Sequence, residues 1–247
     1  MELYLIRHGQ SVNNALMEDQ ILRVADPELT PVGHQQAQHI ATYLATALHR
    51  DRLVTFRPEE PERQQQHPYG ITHLYASAMT RAMQTCQPIA AALGLQPHIW
   101  LDIHEHGGIY LEKDGVVTGY GGRTRSQISA DFPTYMIPDA ITEQGWWQMQ
   151  NAYEDLPACQ ARATRVAHQL RRRAEVEATT HDRVALVTHG TFMDSLLKAL
   201  FNNLPSPDYY INHWNTGITQ IDITPNDEMR VRYINRIDHL TNDLVTA

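Results

Sequence analysis

Two places in the 247-residue chain set a histidine directly before a glycine at the end of an apolar run. Leu3 to Ile6 leads to Arg7, His8 and Gly9, and Val184 to Val187 leads through Thr188 to His189 and Gly190. Each reads as a strand that delivers polar side chains into a turn. Arg7-His8-Gly9-Gln10 alone is as much at home in a surface turn, so its companions decide the reading. They are Arg81, in the first turn of a predicted helix, and Glu105, in the segment Asp102–Gly108 that follows a predicted strand. Two planar, permanently charged guanidinium groups can grip an anion by bidentate contacts that a lysine does not reproduce. A neutral imidazole is a competent nucleophile near pH 7, and a carboxyl group can give a proton to an alcohol leaving group and take one from water. Together these residue types suit phosphoryl transfer.

The elements that must position them alternate along the chain. Thr30 and Pro31 open a predicted helix to about His49, with Ala37, Ile40, Ala41, Leu44 and Leu48 on one face. Ile71–Ala76 reads as a strand, Ser77 as the cap of a helix Ala78–Leu93 ended by Gly94, and His98–Leu101 as a further strand. Ala158–Ala178 is a helix whose Arg171–Arg173 run lies on a solvated face, Arg183–Thr188 a buried strand, and Thr191–Phe201 a helix. Thr216–Ile223 and Met229–Asn235 form an expected edge hairpin about Pro225-Asn226-Asp227, with a tail from His239. This alternation predicts an α/β fold: a mostly parallel sheet of about six strands with helices on both faces, a three-layer sandwich. Ligands of such sheets sit at the carboxyl ends of the strands, so if the two strands are neighbours, His8 and His189 face one crevice.

Ser11–Glu28 and Arg50–Gly70 read as loops, the second about 20 residues long and rich in Pro, Glu and Gln. From Ile109 to Leu156 neither strand nor helix rhythm is evident, and Trp146-Trp147 stand near its end. The expectation is one domain, 1–247, with this insertion, at about 108–156, serving as a lid over the strand ends. The alternative is a passive excursion held by the two tryptophans.

The formal charge of −8 and the pI near 5.9 argue against general nucleic-acid binding, so an anionic ligand must be drawn by a local pocket. No apolar stretch reaches the roughly 20 residues that span a bilayer, and no leader pattern precedes Leu3, so a cytoplasmic protein without membrane attachment is expected. Cys86 and Cys159, without a CxxC partner, support neither a disulfide framework nor a zinc site.

Arg7-His8-Gly9 with Ser11 and Asn14, Leu29–Ala37, Tyr75–Thr85, Glu105 and Val187–Gly190 resemble, in content and order, the histidine phosphatases, or phosphoglycerate mutase-like superfamily. The resemblance implies a mixed sheet and a phosphohistidine chemistry that needs no metal and no cofactor. It implies a catalytic set of His8 as phosphorylated nucleophile, Glu105 as proton donor and His189, with Arg7, Arg81 and His189 holding the phosphoryl group and Asn14 a further contact. The expected activity is hydrolysis of a small phosphorylated metabolite with release of inorganic phosphate.

One departure weakens a mutase reading: Glu105 is followed by His106, Gly107 and Gly108, where similar mutases carry an arginine and soon a tyrosine. Lys113, Arg123 and Arg125 are candidates for the extra cations a mutase needs; Arg125 and Lys113 are also candidate readers of a second anionic group, or else solvated surface charges. A mutase, a catalytically weak binder of phosphorylated ligands, and a metallohydrolase using His98, His104, Glu105 and His106 are the alternatives. Oligomeric state is open, a homodimer included.

Overall fold

A computed structural model describes residues 1–16, 22–47, 69–147, 153–205 and 208–247. Its first strand, β1 (Glu2–Arg7), lies inside a six-stranded sheet. Leu3 and Leu5 turn to one face and Tyr4 and Ile6 to the other, all fully buried, as the two-residue period of a strand requires. The other strands are β2 (His73–Ala76), β3 (His98–Ile99), β6 (Arg183–Thr188), β7 (Ile218–Ile223) and β8 (Met229–Arg236), and a separate hairpin is made by β4 (Tyr110–Lys113) and β5 (Val116–Gly119). Sheet order is β3-β2-β6-β1-β7-β8, with β3, β2, β6 and β1 parallel, β7 antiparallel to β1, and β8 antiparallel to β7. This is the mixed α/β sheet that was expected.

Helices cover both faces. On the face of Tyr4 and Ile6 pack α2 (Pro31–Thr46) and α3 (Thr80–Leu93); a short α1 (Val12–Ala15) precedes them in the chain. On the face of Leu3 and Leu5 pack α5 (Leu156–Glu175) and α6 (Gly190–Leu200). Each buried Leu or Ile contributes roughly 1.5–3 kcal/mol of hydrophobic stabilisation, which holds a continuous apolar layer on each side of the sheet. Thr30 caps α2 as expected, its Oγ1 accepting from Gly33 N at 3.1 Å, and Gly94 closes α3 at φ 64°.

Several local expectations change. The α3 cap is Met79, with no side-chain bond, and the expected cap, Ser77, stands two residues earlier, its Oγ accepting from Met79 N at 3.2 Å. The expected strand His98–Leu101 stops at Ile99 and turns into a 3-10 segment, Leu101–Ile103. The stretch after Ile109 is not without rhythm: it holds the β4–β5 hairpin and α4 (Arg125–Asp131). The hairpin turn is Asp114-Gly115, both at positive φ (51° and 76°), a pair whose twist matches that of the strands it joins. Ile128, Phe132, Tyr135 and Ile141 of this insertion join the core on the α2–α3 face. The tail is pinned, since Gln36 Nε2 donates to Leu244 O and His239 is buried. The expected loop Arg50–Gly70 lies outside the described residues except for its last two.

Cys86 and Cys159 are both free and buried, in the two separate cores, and burial pushes each thiol up to about 12. Among the described residues no helix is long and apolar enough to cross a membrane.

Candidate active site

The register of the sheet assembles the site. β1 pairs with β6 so that Arg7 stands opposite Thr188; the residues that follow, His8 and His189, therefore leave the sheet side by side, with ring centroids 5.1 Å apart. β2 pairs with β6 one position earlier, Ala76 opposite Val187, which sets Ser77 within reach of His189. A cavity of about 230 Å³ opens here, lined by Arg7, His8, Asn14, Arg81 and Glu105 among others. His189 is fully buried and is not on its wall, but lies against the His8 ring.

His8 Nδ1 is 2.6 Å from Gly9 O, and a carbonyl can only accept, so the hydrogen sits on Nδ1 and Nε2 carries the lone pair. Arg81 Nε donates to that Nε2 at 3.1 Å. Burial first, then the charges of Arg81 and Arg7, hold the His8 pKa well below its ordinary value. The ring is thus neutral at pH 7. Gly9 N donates to Thr85 Oγ1 at 2.9 Å, and Thr85 Oγ1 donates to Arg81 O, tying the turn after His8 to the helix that carries Arg81. The turn also packs against α2 without side chains: a Cβ on Gly9 would lie 2.6 Å from Gly33 O, and one on Gly33 would strike Gln10 O.

Arg7 donates from Nη1 to His213 O, while its buried Nε has no partner among the described residues. Arg81 is 8% exposed and has Asp26 at 4.0 Å, and Asp26 in turn accepts from Thr80 N and Oγ1 at 3.0 and 2.6 Å. For both arginines burial is the main force lowering the pKa from its high starting value. His189 Nε2 lies 2.8 Å from Ser77 Oγ, which already accepts from Met79 N at 3.2 Å. The Ser77 oxygen has a second lone pair, so this contact can run either way; when the serine hydrogen points at Nε2, the His189 hydrogen falls on Nδ1, a buried atom without a partner among the described residues. Burial, then Arg81 and His8, push its pKa well down.

Glu105 rests on the N-terminus of α6. Oε1 accepts from Phe192 N and His106 N, each at 2.9 Å, and Oε2 accepts from Thr191 N at 3.3 Å. Thr191 N and Phe192 N are among the N–H groups that a helix leaves without internal partners, whereas His106 N belongs to the residue that follows Glu105 in the chain. Asn14 Oδ1 accepts from Ser11 N and Oγ at 3.1 and 3.0 Å, so Asn14 shapes the loop as well as lining the cavity.

The sequence reading missed several residues. Asn215 Nδ2 donates to His8 O at 3.0 Å, Asp26 backs Arg81, and Arg23, Tyr110 and Glu112 line the outer cavity. Conversely, none of Lys113, Arg123 and Arg125 is on the cavity wall. Arg123 pairs with Asp131 and Glu28, and Arg125 donates to the carbonyls of Ile137, Pro138 and Ile141. The four residues of the metallohydrolase alternative diverge: His98 packs against Tyr75, His104 against Trp146 and Trp147, His106 against Tyr153, and Glu105 turns to α6. Among the described residues no group of three or more His, Cys, Asp or Glu side chains could hold a metal ion.

An α/β sheet with two neutral histidines, a buried and a half-buried arginine, and a carboxyl group gathered at the carboxyl ends of its strands defines an anion-handling crevice. The sequence pattern of the histidine phosphatase superfamily (branch 1) matches residues 3–55 and 62–236, and the chain belongs to that superfamily. A protein of Yersinia enterocolitica named as a probable phosphoglycerate mutase, GpmB, is 25% identical over 228 residues, covering 90% of this chain and 85% of that one. Among solved structures, a mycobacterial glucosyl-3-phosphoglycerate phosphatase superposes with a TM-score of 0.55 at 20% identity, covering 96% and 99% of the two chains. A phosphoserine phosphatase of Entamoeba histolytica gives 0.56 at 19%, covering 97% and 99%. At such identities these structures speak for the fold.

Proposed function

We propose that the chain is a phosphatase that hydrolyses a small phosphomonoester through a phosphohistidine at His8, without a metal or other cofactor. The observation that carries this reading is the state of His8: its Nδ1 is committed to Gly9 O, its ring is held neutral, and Nε2 faces Arg81 on a cavity lined by Arg7 and Glu105. Two buried polar groups without partners among the described residues, Arg7 Nε and His189 Nδ1, flank it. Each such group costs about 1–3 kcal/mol when unsatisfied, a cost that phosphoryl oxygens would relieve.

In the first half of the reaction the Nε2 lone pair attacks phosphorus, the bond to the ester oxygen breaks, and that oxygen takes a proton from Glu105. The proton is carried on Oε2, whose single contact, Thr191 N at 3.3 Å, is the longest of the three. In the second half Glu105 takes a proton from water, the water oxygen bonds to phosphorus, and the P–N bond breaks to restore neutral His8 and release inorganic phosphate. Arg7, Arg81 and His189 hold the phosphoryl oxygens throughout, with Asn14 a further contact. The outer wall of Arg23, Tyr110 and Glu112 and the β4–β5 hairpin would receive the leaving group.

A mutase reading is favoured by the GpmB relative and by Arg23, a further cation on the cavity wall. The two separate in one assay. Purified protein is given a panel of sugar phosphates, phosphoglycerates, nucleotides and phosphoamino acids, with inorganic phosphate and phosphoglycerate isomers both measured. Release of phosphate that His8→Ala abolishes supports the phosphatase; isomer exchange without net release supports the mutase. Ordinary activity in His8→Ala would sink both.

A further inference from the structure

α5 carries one charged residue that does not face water. Arg162 is 2% exposed, in the core between α5 and the sheet. Burying a cation costs several kcal/mol after relaxation, and an apolar side chain of similar volume would fill the space without that cost, so its contacts must serve some end besides packing. Apart from a contact of Nη2 with Cys159 Sγ at 3.7 Å, they converge on the segment that carries Glu105.

Arg162 Nη1 donates to Asp102 O at 2.7 Å and to His104 O at 2.9 Å, the carbonyls three residues and one residue ahead of Glu105. Its Nε and Nη2 donate to the two oxygens of Glu154 at 2.8 and 2.6 Å, a bidentate pair. Glu154 reaches the other side of the segment, its backbone N donating to Gly107 O at 3.2 Å. The guanidinium also lies over the ring of Phe192, 4.6 Å from its centroid, and Phe192 N is a donor to Glu105 Oε1. One ion pair thus grips the backbone before Glu105, the backbone after it, and the residue whose N–H holds its carboxyl group.

We propose that Arg162, with Glu154, is a positioning residue for Glu105: it fixes the segment 102–107 against α6 so that the carboxyl group meets the leaving-group oxygen. The inference rests on the reading of Glu105 as proton donor. It has a signature that simple loss of stability lacks. An alkyl leaving group needs a proton as its bond breaks, whereas p-nitrophenolate leaves without one; displacing the acid by an ångström, which can cost on the order of 100-fold, therefore slows the first ester selectively.

The test compares kcat/KM for p-nitrophenyl phosphate and for an alkyl phosphate such as glycerol phosphate in wild type, Arg162→Lys, Glu154→Gln and Glu105→Gln, and in the double variant Arg162→Lys/Glu105→Gln. Circular dichroism and thermal melting confirm folding, and Glu154→Gln, isosteric and still able to accept, serves if Arg162→Lys does not fold. The expected result is a loss of roughly 30–100-fold on the alkyl ester with no more than about threefold on the aryl ester. Glu105→Gln would show the same selectivity, and the double variant no further loss. Equal losses on both esters, or full additivity with Glu105→Gln, would overturn the assignment while leaving the phosphatase reading intact. A wild-type chain that hydrolyses neither ester in a His8-dependent way would overturn both.

Discussion

Replacement of Arg81 separates two things this residue does at once. Its guanidinium can place two N–H groups on a phosphoryl oxygen pair, and its charge sits beside His8, Nε to Nε2 at 3.1 Å. Charge-assisted hydrogen bonds contribute about 1.5–3 kcal/mol each. Arg81→Met removes both, about 3–6 kcal/mol, and kcat/KM for p-nitrophenyl phosphate is expected to fall by roughly 10²–10⁴. Arg81→Lys keeps a point charge but loses the fork, for a fall of about 10–150-fold. The pH profiles should then diverge. His8 must be neutral to attack, and its pKa is held down by burial, then by Arg81, then by Arg7. Loss of the Arg81 charge lets His8 take up a proton at higher pH, so the acid limb of kcat/KM moves up in pH in Arg81→Met and stays near wild type in Arg81→Lys. The substrate phosphate titrates in the same region, so the limb is read from the ratio of variant to wild type. An acid limb in Arg81→Met that is unmoved, or displaced to lower pH, would refute the coupling between Arg81 and the nucleophile.

Three further outcomes follow from the geometry. Ser77→Ala is expected to lower kcat/KM by about 10–100-fold, Ser77→Thr to restore most of it, and Ser77→Ala to cost nothing in a His189→Ala background, because the hydroxyl works through the His189 ring; additive losses would count against this. Burial holds His104 and His213 at about 4 and His239 at about 3, below the unfolded value of 6.5. The unfolded chain therefore binds more protons in that window, and each histidine removes about 1.4 kcal/mol of stability per unit as pH falls from 6.5 toward its folded value; denaturant melts from pH 7 to 4.5 should show it, with a shallower slope in His239→Gln. Gly33→Ala should lose about 1–3 kcal/mol in the same melts and reduce turnover, since the new methyl group strikes the Gln10 carbonyl beside the His8 turn; wild-type stability would mean that the turn can yield.

How far the sequence was legible depends on whether a signal is local. The repeated pattern of apolar run, histidine and glycine announced β1 and β6, and their buried side chains follow directly from it. That the two strands are neighbours, with Arg7 opposite Thr188, rests on pairing across some 180 residues, which no local pattern carries. Ser77 stood where a helix cap belongs, and its oxygen does accept from Met79 N, but the register of β2 against β6 also sets the same hydroxyl 2.8 Å from His189 Nε2, a second role that no local pattern carries. Asp114-Gly115 did carry a hairpin signal, obscured by the glycines and prolines around it. Arg162 was hidden for the opposite reason: an arginine in a helix with Arg165 and Arg171–Arg173 reads as solvated surface, and only the position of Glu154 shows that it is buried.

The placement of Glu105 bears on how an acidic chain handles an anion. With a formal charge of −8, the field far from the site repels a phosphate dianion, so attraction must come from within the cavity. The N-terminus of α6 would ordinarily be a ready anion site, yet here Glu105 occupies it. The phosphoryl group is accordingly left, on the proposed mechanism, to side chains, Arg7 and Arg81 on the wall and His189 behind His8. On the proposed mechanism this division has a use. When Glu105 gives up its proton, the charge left behind falls on Thr191, Phe192 and His106 N–H groups already in place, so that the leaving group is protonated without the backbone having to rearrange. Had the helix held the phosphate, the same donors would have stabilised the ground-state dianion, which is bound equally before and after the bond breaks; aimed at the carboxyl group, they act where charge changes.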